Sequence, residues 1–247
     1  RLSTQRQLWL SECSKELSKF HDEAFRVKEV QFYQNYSNED LLKAFRFEVE
    51  NFYSQYLVWP LLLITLIEST TQGLKALLKG VIKDDEIDKT INHWLAIGLH
   101  TVTMEMNQNY AEASVEPQKR THFLAKYGHR GPGELELSNP RWSELSDLAF
   151  SKNSHYKSAA PQEVLRPEDE IQKLTSYKKQ VIEKEWTLLR EMLELREKWK
   201  MNLLSPYSHI RYISLEIGKR NKVGNDIFWF SFDEILKGHF DLSLALK

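Results

Sequence analysis

The side chains best placed to do chemistry lie in one glycine- and proline-rich stretch, residues 123–142. Three of the nine glycines fall within six residues there, as Gly128, Gly131 and Gly133, and two prolines interrupt the pattern. Glycine tolerates positive φ and proline fixes φ, so this spacing predicts a helix that ends at Tyr127, a cap at Gly128 and then a tight turn.

The candidate site residues in this turn are His129, Arg130, Glu134 and Arg141. One interpretation is a buried ion-pair network, because a guanidinium pairs with a carboxylate through two parallel hydrogen bonds. It predicts carboxylate partners for both arginines, namely Glu134 and an acid of the helix expected over 168–204. In the other interpretation Arg130 or Arg141 faces a phosphoryl group, and His129 exchanges a proton with an acceptor hydroxyl. The residue types leave both interpretations open.

The segment YGHRGPGELELSNPRW, residues 127–142, resembles the phosphoenolpyruvate synthase and pyruvate phosphate dikinase superfamily, and within it the rifampicin-phosphotransferase-like branch. The resemblance is dense over 120–142, looser over 166–236 and weak over 1–115. In that branch the segment lies in a helical region between an ATP-grasp domain and a swivelling phosphohistidine domain. The resemblance implies that these two domains flank the chain in one polypeptide, that ATP and Mg bind to a flanking domain, and that the helical region holds a small-molecule acceptor.

The catalytic groups of that superfamily are missing from this sequence. It has no G-x-x-x-x-G-K-[ST] phosphate loop and no G-x-G-x-x-G, and the glycines of the turn give G-x-x-G-x-G instead. The family's phosphohistidine lies in a Gly-Gly-rich run that ends in Ser/Thr-His-Ala, whereas this chain has neither a Gly-Gly nor a His-Ala pair. His129 is therefore not the phosphocarrier, and we expect the chain alone to bind no cofactor and to be inactive.

Other side chains offer weaker signals. Met104, Met106 and Tyr110 are candidates for the wall of an apolar acceptor pocket, with plain core packing as the alternative. His93 and His100 share one predicted helix without further ligand types nearby, so we expect no metal site. The tryptophans are expected to be core anchors: Trp9, Trp59, Trp94, Trp186 and Trp199.

Composition narrows the classes of partner. The 247 residues are 41% hydrophobic and 28% charged, ordinary values for a globular protein. A net charge of −1 gives no reason to expect a nucleic-acid or anionic-membrane surface. The single cysteine, Cys13, leaves no internal disulfide and favours a reducing compartment. We therefore expect a cytoplasmic protein with no nucleic-acid and no membrane partner.

Two further features concern the chain as a whole. The most apolar run, residues 56–67, is shorter than the ~20 residues of a membrane span, which predicts a buried core helix. No leader peptide is recognisable, and Arg1 rather than Met comes first, so we expect a fragment of a larger multidomain enzyme.

Apolar residues recur at spacings of three and four through most of the chain, which predicts helices. Start signals stand at Ser37, Pro117 and Ser231. Pro206 is expected to end one long helix and so create a hairpin with the next. The predicted helices cover 3–34, 38–58, 61–78, 84–113, 117–127, 167–204 and 207–220, and residues 227–230 are predicted as a short strand or extended piece.

We therefore predict a mainly α fold, with long antiparallel helices in a bundle-like arrangement, one irregular Gly/Pro-rich turn and little or no strand. Residues 1–247 are predicted to form a single helical domain, with a subdivision into 1–127 and 128–247 as the alternative. The predicted function is that of the central acceptor-binding or linking domain of an ATP-dependent phosphotransferase that works through a phosphohistidine on a separate domain. The alternative is a non-enzymatic helical scaffold or docking module.

Overall fold

The secondary structure is helical in the computed structural model, which describes residues 2–24, 30–96, 99, 101–145, 150 and 175–241. The α-helices are α1 Leu2–Ala24, α2 Asn38–Asn51, α3 Val58–Leu78, α4 Ile87–Ala96, α5 Val102–Val115, α6 Arg120–Tyr127, α7 Trp142–Leu145, α8 Ser176–Arg220 and α9 Phe232–Lys237. Shorter pieces are 3-10 helices at Val30–Asn35, Asp84–Glu86, Pro117–Lys119 and Gly224–Trp229, and a π-helix at Phe52–Tyr56. Within the described ranges no strand occurs beyond an isolated bridge between Lys79 and Ile82. The prediction of a mainly α fold is confirmed.

Local start and stop signals act as predicted. The Ser37 hydroxyl accepts a hydrogen bond from the Asp40 amide at the start of α2. Ser231 forms a complete capping box with Glu234, and Gly238 ends α9 in the left-handed conformation. Pro117 occupies the first helical position before α6, whose last residue is Tyr127.

The predicted hairpin at Pro206 is wrong, because α8 runs without a break from Ser176 to Arg220 with Pro206 inside it. Proline in a helix interior costs ~3 kcal/mol or more, since it removes one hydrogen bond and crowds the carbonyl four residues earlier. Apolar side chains on both sides of Pro206 are buried, among them Leu204 and Ile210. Each such burial is worth ~1.5–3 kcal/mol, so the packing of a continuous helix outweighs the local penalty.

Three other predicted elements differ from the structure. The helix expected over 84–113 is described as two helices, α4 and α5, and the described residues between them, Leu99 and Thr101, are not helical. The strand suggested for 227–230 is a 3-10 helix, and only Phe230 is extended. The first helix is described as far as Ala24, and residues 30–35 are a separate 3-10 helix. The predicted start of α8 at 167–170 lies outside the described residues.

The chain divides into two compact units that interleave along the sequence. The first consists of Arg1–Lys19, Trp59–Gln108 and His155–Lys200, and the second of Phe20–Val58, Asn109–Ser154 and Met201–Lys247. The borders therefore fall elsewhere than residue 127, the subdivision considered from the sequence.

In the first unit, α1, α3 and the first half of α8 are tied together by polar contacts. Arg6 bonds Glu185 at 2.6 Å and also the hydroxyl of Ser69. The Trp199 indole donates to the carbonyl of Cys13. Trp94 and Trp199 are buried and Trp59 and Trp186 are half-buried, whereas Trp9 is 48% exposed, so its prediction as a core anchor is wrong.

The core of the second unit is formed by α2, the second half of α8 and the segments that follow it. Its fully buried centre includes Leu41, Ile213 and Ile227. Arg220, near the end of α8, donates to the carbonyls of Tyr33, Gln34 and Tyr36 and so holds the 3-10 segment before α2. This core supports the turn that carries the candidate site residues.

The predicted buried core helix at 56–67 is exposed along one face of α3. Leu63 is fully buried, whereas Leu61 and Ile64 are exposed. Among the described residues one helical stretch, Asn38–Leu78, is long and apolar enough to cross a membrane by length and composition alone, and 22% of its most apolar window is buried. A long apolar helix of this kind is weak evidence for a membrane span.

Candidate functional site

The predicted turn is a closed loop, residues 128–141, here called the glycine loop. Its two ends are joined by backbone hydrogen bonds, because Trp142 donates to the carbonyl of Arg130 at 2.7 Å and Ser143 donates to that of Gly128 at 3.0 Å. The far side is held by α8, where the Tyr207 hydroxyl donates to the carbonyl of Leu135 at 2.8 Å. The loop is therefore anchored at its base and along its side.

Two glycines are required by the path of this loop. A Cβ on Gly131 would lie 2.7 Å from the carbonyl oxygen of Pro140, closer than van der Waals contact allows. Gly133 has φ of +62°, a left-handed conformation in which side chains are strained. Gly128 caps α6 in a right-handed conformation, so its position as the cap is confirmed without positive φ, and a Cβ there would clash with the carbonyl oxygen of Leu124.

The predicted carboxylate partner of Arg130 is present: it is Glu134, and the ion pair is buried. Arg130 is 1% exposed, and its Nε and Nη2 donate to the two carboxylate oxygens of Glu134 at 2.5 and 2.6 Å. Its Nη1 contacts the sulfur of Met201 on α8 at 3.5 Å. Because the Arg130 guanidinium forms a buried ion pair with Glu134, the geometry favours the interpretation that Arg130 belongs to a structural ion-pair network.

His129 is buried beside this pair, and its Nε2 lies 3.1 Å from the carbonyl oxygen of Met201. Burial, and secondarily the positive charge of Arg130, lower the pKa of His129 to about 3. The imidazole is therefore neutral near pH 7. A neutral imidazole in this setting fixes the loop against α8 through the Met201 carbonyl.

Arg141 differs from the prediction, because no carboxylate is paired with its side chain among the described residues. Its Nη1 donates to the carbonyl of Asn139, its guanidinium carbon lies 5.7 Å from the centre of the Tyr207 ring, and its side chain is 0% exposed. Its Nε and Nη2 have no hydrogen-bond partner. Burial, followed by the charge of Arg211, lowers the pKa of Arg141.

Among the described residues, the acid expected from the 168–204 helix does not pair with Arg141, and the neighbouring carboxylate of Glu144 pairs with Arg211. Glu144, in α7, accepts from Nε and Nη2 of Arg211 at 2.7 and 2.8 Å, and Arg211 Nη1 donates to the carbonyl of Leu137. The same carboxylate reaches only the backbone amide of Arg141, at 2.9 Å. Sequence reasoning missed both residues, although the polar run Ser205-Pro206-Tyr207-Ser208-His209 inside an otherwise apolar helix was a signal that this part of α8 faces polar groups.

A cavity of about 300 Å³ lies beside the glycine loop within the second unit. Its walls come from α6, the loop, α7 and α8, and they carry five hydroxyl groups: Thr121, Ser143, Ser205, Ser208 and Tyr212. Two imidazoles, His129 and His209, complete the polar lining. Leu124, Ala125 and Gly128 supply the remaining surface.

The inner end of this cavity is buried and its outer end is open. Ser205, Ser208, His209 and Tyr212 are buried, whereas Thr121, Ala125 and Ser143 are exposed. The Ser143 and Tyr212 hydroxyls are 2.9 Å apart and form a hydrogen bond, and the Ser208 hydroxyl donates to the carbonyl of Ser205. The arrangement can receive a small polar molecule through the exposed end.

Comparison with known protein families now adds to this geometry. Residues 112–198 match the family model of the rifampicin phosphotransferase fourth domain. The match contains the whole glycine loop, so the resemblance predicted from residues 127–142 is confirmed for that part of the chain. No curated protein and no solved structure matches the chain.

The match to the rifampicin phosphotransferase fourth domain ends at residue 198 and so includes α6 and the loop but not the cavity wall on α8.

The suggested pocket wall lies elsewhere: Met106 and Tyr110 are buried, Met104 is exposed, and the described cavities are lined by other residues. Tyr110 stacks on Trp142 with ring centres 5.4 Å apart. The role of these three residues as an acceptor wall stays a prediction.

Metal binding finds no support in the described part of the chain, where no group of three or more His, Cys, Asp or Glu side chains could hold an ion. His93 is half-buried in α4, while His100 lies outside the described residues. The candidate site therefore consists of the loop with its Arg130–Glu134 pair, the Arg141 guanidinium and the hydroxyl-lined cavity.

Proposed function

We propose that this chain is the acceptor-binding helical domain of an ATP-dependent phosphotransferase that works through a phosphohistidine on a separate domain. The observation that carries the proposal is the match of residues 112–198 to the rifampicin phosphotransferase fourth domain. The sequence supports it as well, since it contains no phosphate loop and no Ser/Thr-His-Ala run of its own. ATP, Mg and the phosphohistidine would then belong to flanking domains of the same polypeptide.

The geometry supports a binding role rather than a phosphate-handling role for the glycine loop. Arg130 and His129 are buried and engaged with Glu134 and Met201, so neither presents a free donor to an incoming phosphoryl group. The loop instead forms one wall of the cavity through Gly128 and His129. In this proposal the buried pair keeps that wall rigid while the acceptor occupies the cavity.

The experiment uses the full polypeptide in which the chain occurs. We expect incubation with radiolabelled ATP to place an acid-labile label on a histidine outside these residues and, when an acceptor is added, to move the label to a small molecule. Deletion of residues 112–198 should leave the labelled histidine and abolish the transfer. A full polypeptide that forms no phosphohistidine, or one that transfers equally well after the deletion, would contradict the proposal.

A docking module is the second candidate, and the exposed apolar residues of α3 favour it. Leu61 and Ile64 lie on one face of α3 and are exposed. If α3 serves only as a docking surface, Leu61→Ser and Ile64→Ser should reduce assembly with the flanking domains and leave acceptor binding unchanged. The two functions are therefore separated by measuring assembly by sedimentation and acceptor transfer in the same variant.

A further inference from the structure

The side chains that line the cavity beside the glycine loop restrict the chemical class of ligand that it can bind. Its described lining contains five hydroxyls and two imidazoles but no Lys, Arg, Asp or Glu side chain. Hydroxyl groups both donate and accept hydrogen bonds, so they suit a neutral ligand with hydroxyl groups. An anion such as pyruvate would instead require a cation, because burying an unpaired charge is costly.

The volume of the cavity also limits the size of the ligand. About 300 Å³ is the low end of the range of ligand pockets, ~300–1,000 Å³, so a large antibiotic does not fit inside it. The apolar part of the lining, Leu124 and Ala125 on α6, suits a ring or short carbon skeleton. A small aromatic or cyclic alcohol meets both requirements.

One buried imidazole of this cavity, that of His209, lies next to a carboxylate. Nδ1 of His209 lies 3.5 Å from Oε1 of Glu48 in α2, and both side chains are buried. The opposite ring nitrogen is Nε2, and the ring of His209 lines the cavity. A carboxylate on one side of an imidazole orients the ring and stabilises its protonated form, the arrangement used by general bases.

We propose that this cavity binds a small neutral molecule that carries a hydroxyl group, and that His209, held by Glu48, accepts the proton of that hydroxyl. This inference rests on the proposed function, and it names the acceptor class and the base. The position of His209 among Ser205, Ser208 and Tyr212 gives the hydroxyl further hydrogen-bond partners. His129, on the opposite wall, is already bound to the Met201 carbonyl and is not the base.

The step balances without any further reactant. The phosphohistidine reacts with a proton on its second ring nitrogen. The acceptor oxygen forms a bond to the phosphorus as the N–P bond breaks, and the nitrogen released from phosphorus keeps the electron pair of that bond. The hydroxyl proton moves to Nε2 of His209, whose positive charge is stabilised by Glu48. The products are a phosphate monoester, a neutral histidine on the donor domain and a protonated His209.

The first test measures binding to the whole 247-residue chain with catechol, resorcinol and myo-inositol as neutral probes and pyruvate as the anionic control. Ligand-observed NMR gives the affinities, and ¹⁵N-labelled imidazoles report contact with histidine. Ala125→Trp closes the exposed end of the cavity, and Ala111→Trp, at an exposed alanine of α5 outside the lining, is the matched control.

We expect at least one neutral probe to bind more tightly than pyruvate. Its affinity should fall at least tenfold in Ala125→Trp and stay within twofold in Ala111→Trp. The bound probe should shift one imidazole Nε2 resonance, and that resonance should be missing in His209→Gln. Pyruvate binding as tightly as every neutral probe, or equal binding by the two tryptophan variants, would overturn the assignment of the site.

The second test addresses the base in the full polypeptide. His209→Gln should slow transfer to the acceptor at saturating acceptor concentration by ~100-fold or more, while formation of the phosphohistidine from ATP is unchanged. Normal transfer by His209→Gln would overturn the role of the base. If the neutral probes bind but no phosphohistidine forms, the proposed function fails and the binding site stands. If transfer occurs but no probe binds, only the present inference fails.

Discussion

The buried pair in the glycine loop gives the sharpest stability prediction, tested by Glu134→Gln. The substitution keeps the size of the side chain and removes the charge that neutralises Arg130, which is 1% exposed. A guanidinium does not lose its proton in proteins, so Arg130 would remain as a buried cation. Removal of one partner from such a pair costs ~3–5 kcal/mol. Glutamine retains one acceptor oxygen, so we expect the low end, ~3 kcal/mol.

Urea unfolding followed by circular dichroism measures this loss. With a slope of ~3 kcal/mol per M, the expected cost shifts the unfolding midpoint by ~1 M. The matched control is Glu183→Gln, because Glu183 also pairs with a cation four residues away, Lys179, but its side chain is 53% exposed. An exposed pair of this kind is worth ~0–1 kcal/mol, so the control should unfold close to wild type.

Two outcomes would contradict a stabilising role of the buried pair. If Glu134→Gln unfolds at the same urea concentration as Glu183→Gln, the pair does not hold the loop. The double variant Arg130→Met/Glu134→Gln should be more stable than Glu134→Gln alone, because it leaves no buried charge. If the double variant instead loses the sum of the two single losses, the cost comes from packing and the electrostatic argument is wrong.

Three further outcomes are expected. Arg141→Met should stay within ~1 kcal/mol of wild type in the same urea assay, because the lost bond to Asn139 is offset by removal of two buried donors without partners. His129 has a folded pKa of about 3 against an ordinary 6.5, so it takes up a proton on unfolding, and stability should fall by ~1.4 kcal/mol per unit as pH decreases from 6.5 towards 3. His129→Gln should lack that share of the pH dependence, and an equal slope in variant and wild type would contradict the assignment. The chain alone should neither hydrolyse radiolabelled ATP nor become labelled by it; released phosphate or label above a buffer control would show otherwise.

The parts of the fold that could be predicted from the sequence are those set by neighbouring residues. Ser37 and Ser231 cap helices through amides three residues away, so their sequence pattern contains both partners of the hydrogen bond. Pro206 shows the opposite case. Proline locally favours the end of a helix, but α8 continues through Pro206 because its neighbouring residues are buried against distant segments. That burial cannot be predicted from the residues next to Pro206.

The same distinction holds for the candidate site: a contact between residues close in the sequence could be predicted, whereas contacts between distant segments could not. Arg130 and Glu134 are four residues apart in the loop, and the sequence predicted both a carboxylate partner for Arg130 and Glu134 as one of the partner acids. The Arg211–Glu144 and His209–Glu48 contacts join segments far apart in the chain. The two arginines of the loop look alike in the sequence, and only the folded position of α7 gives the nearby carboxylate to Arg211 and leaves Arg141 without one.

The interleaving of the two units has a consequence for how this chain can change over generations. Each unit is assembled from three separated segments, and the chain passes from one unit to the other five times. A gene exchange with a single pair of crossover points therefore cannot replace either unit intact, since it always brings in part of the other. A transferred piece that keeps both units intact has to contain all six segments, and substitutions along α8 affect both cores because residues up to Lys200 belong to the first unit and residues from Met201 to the second.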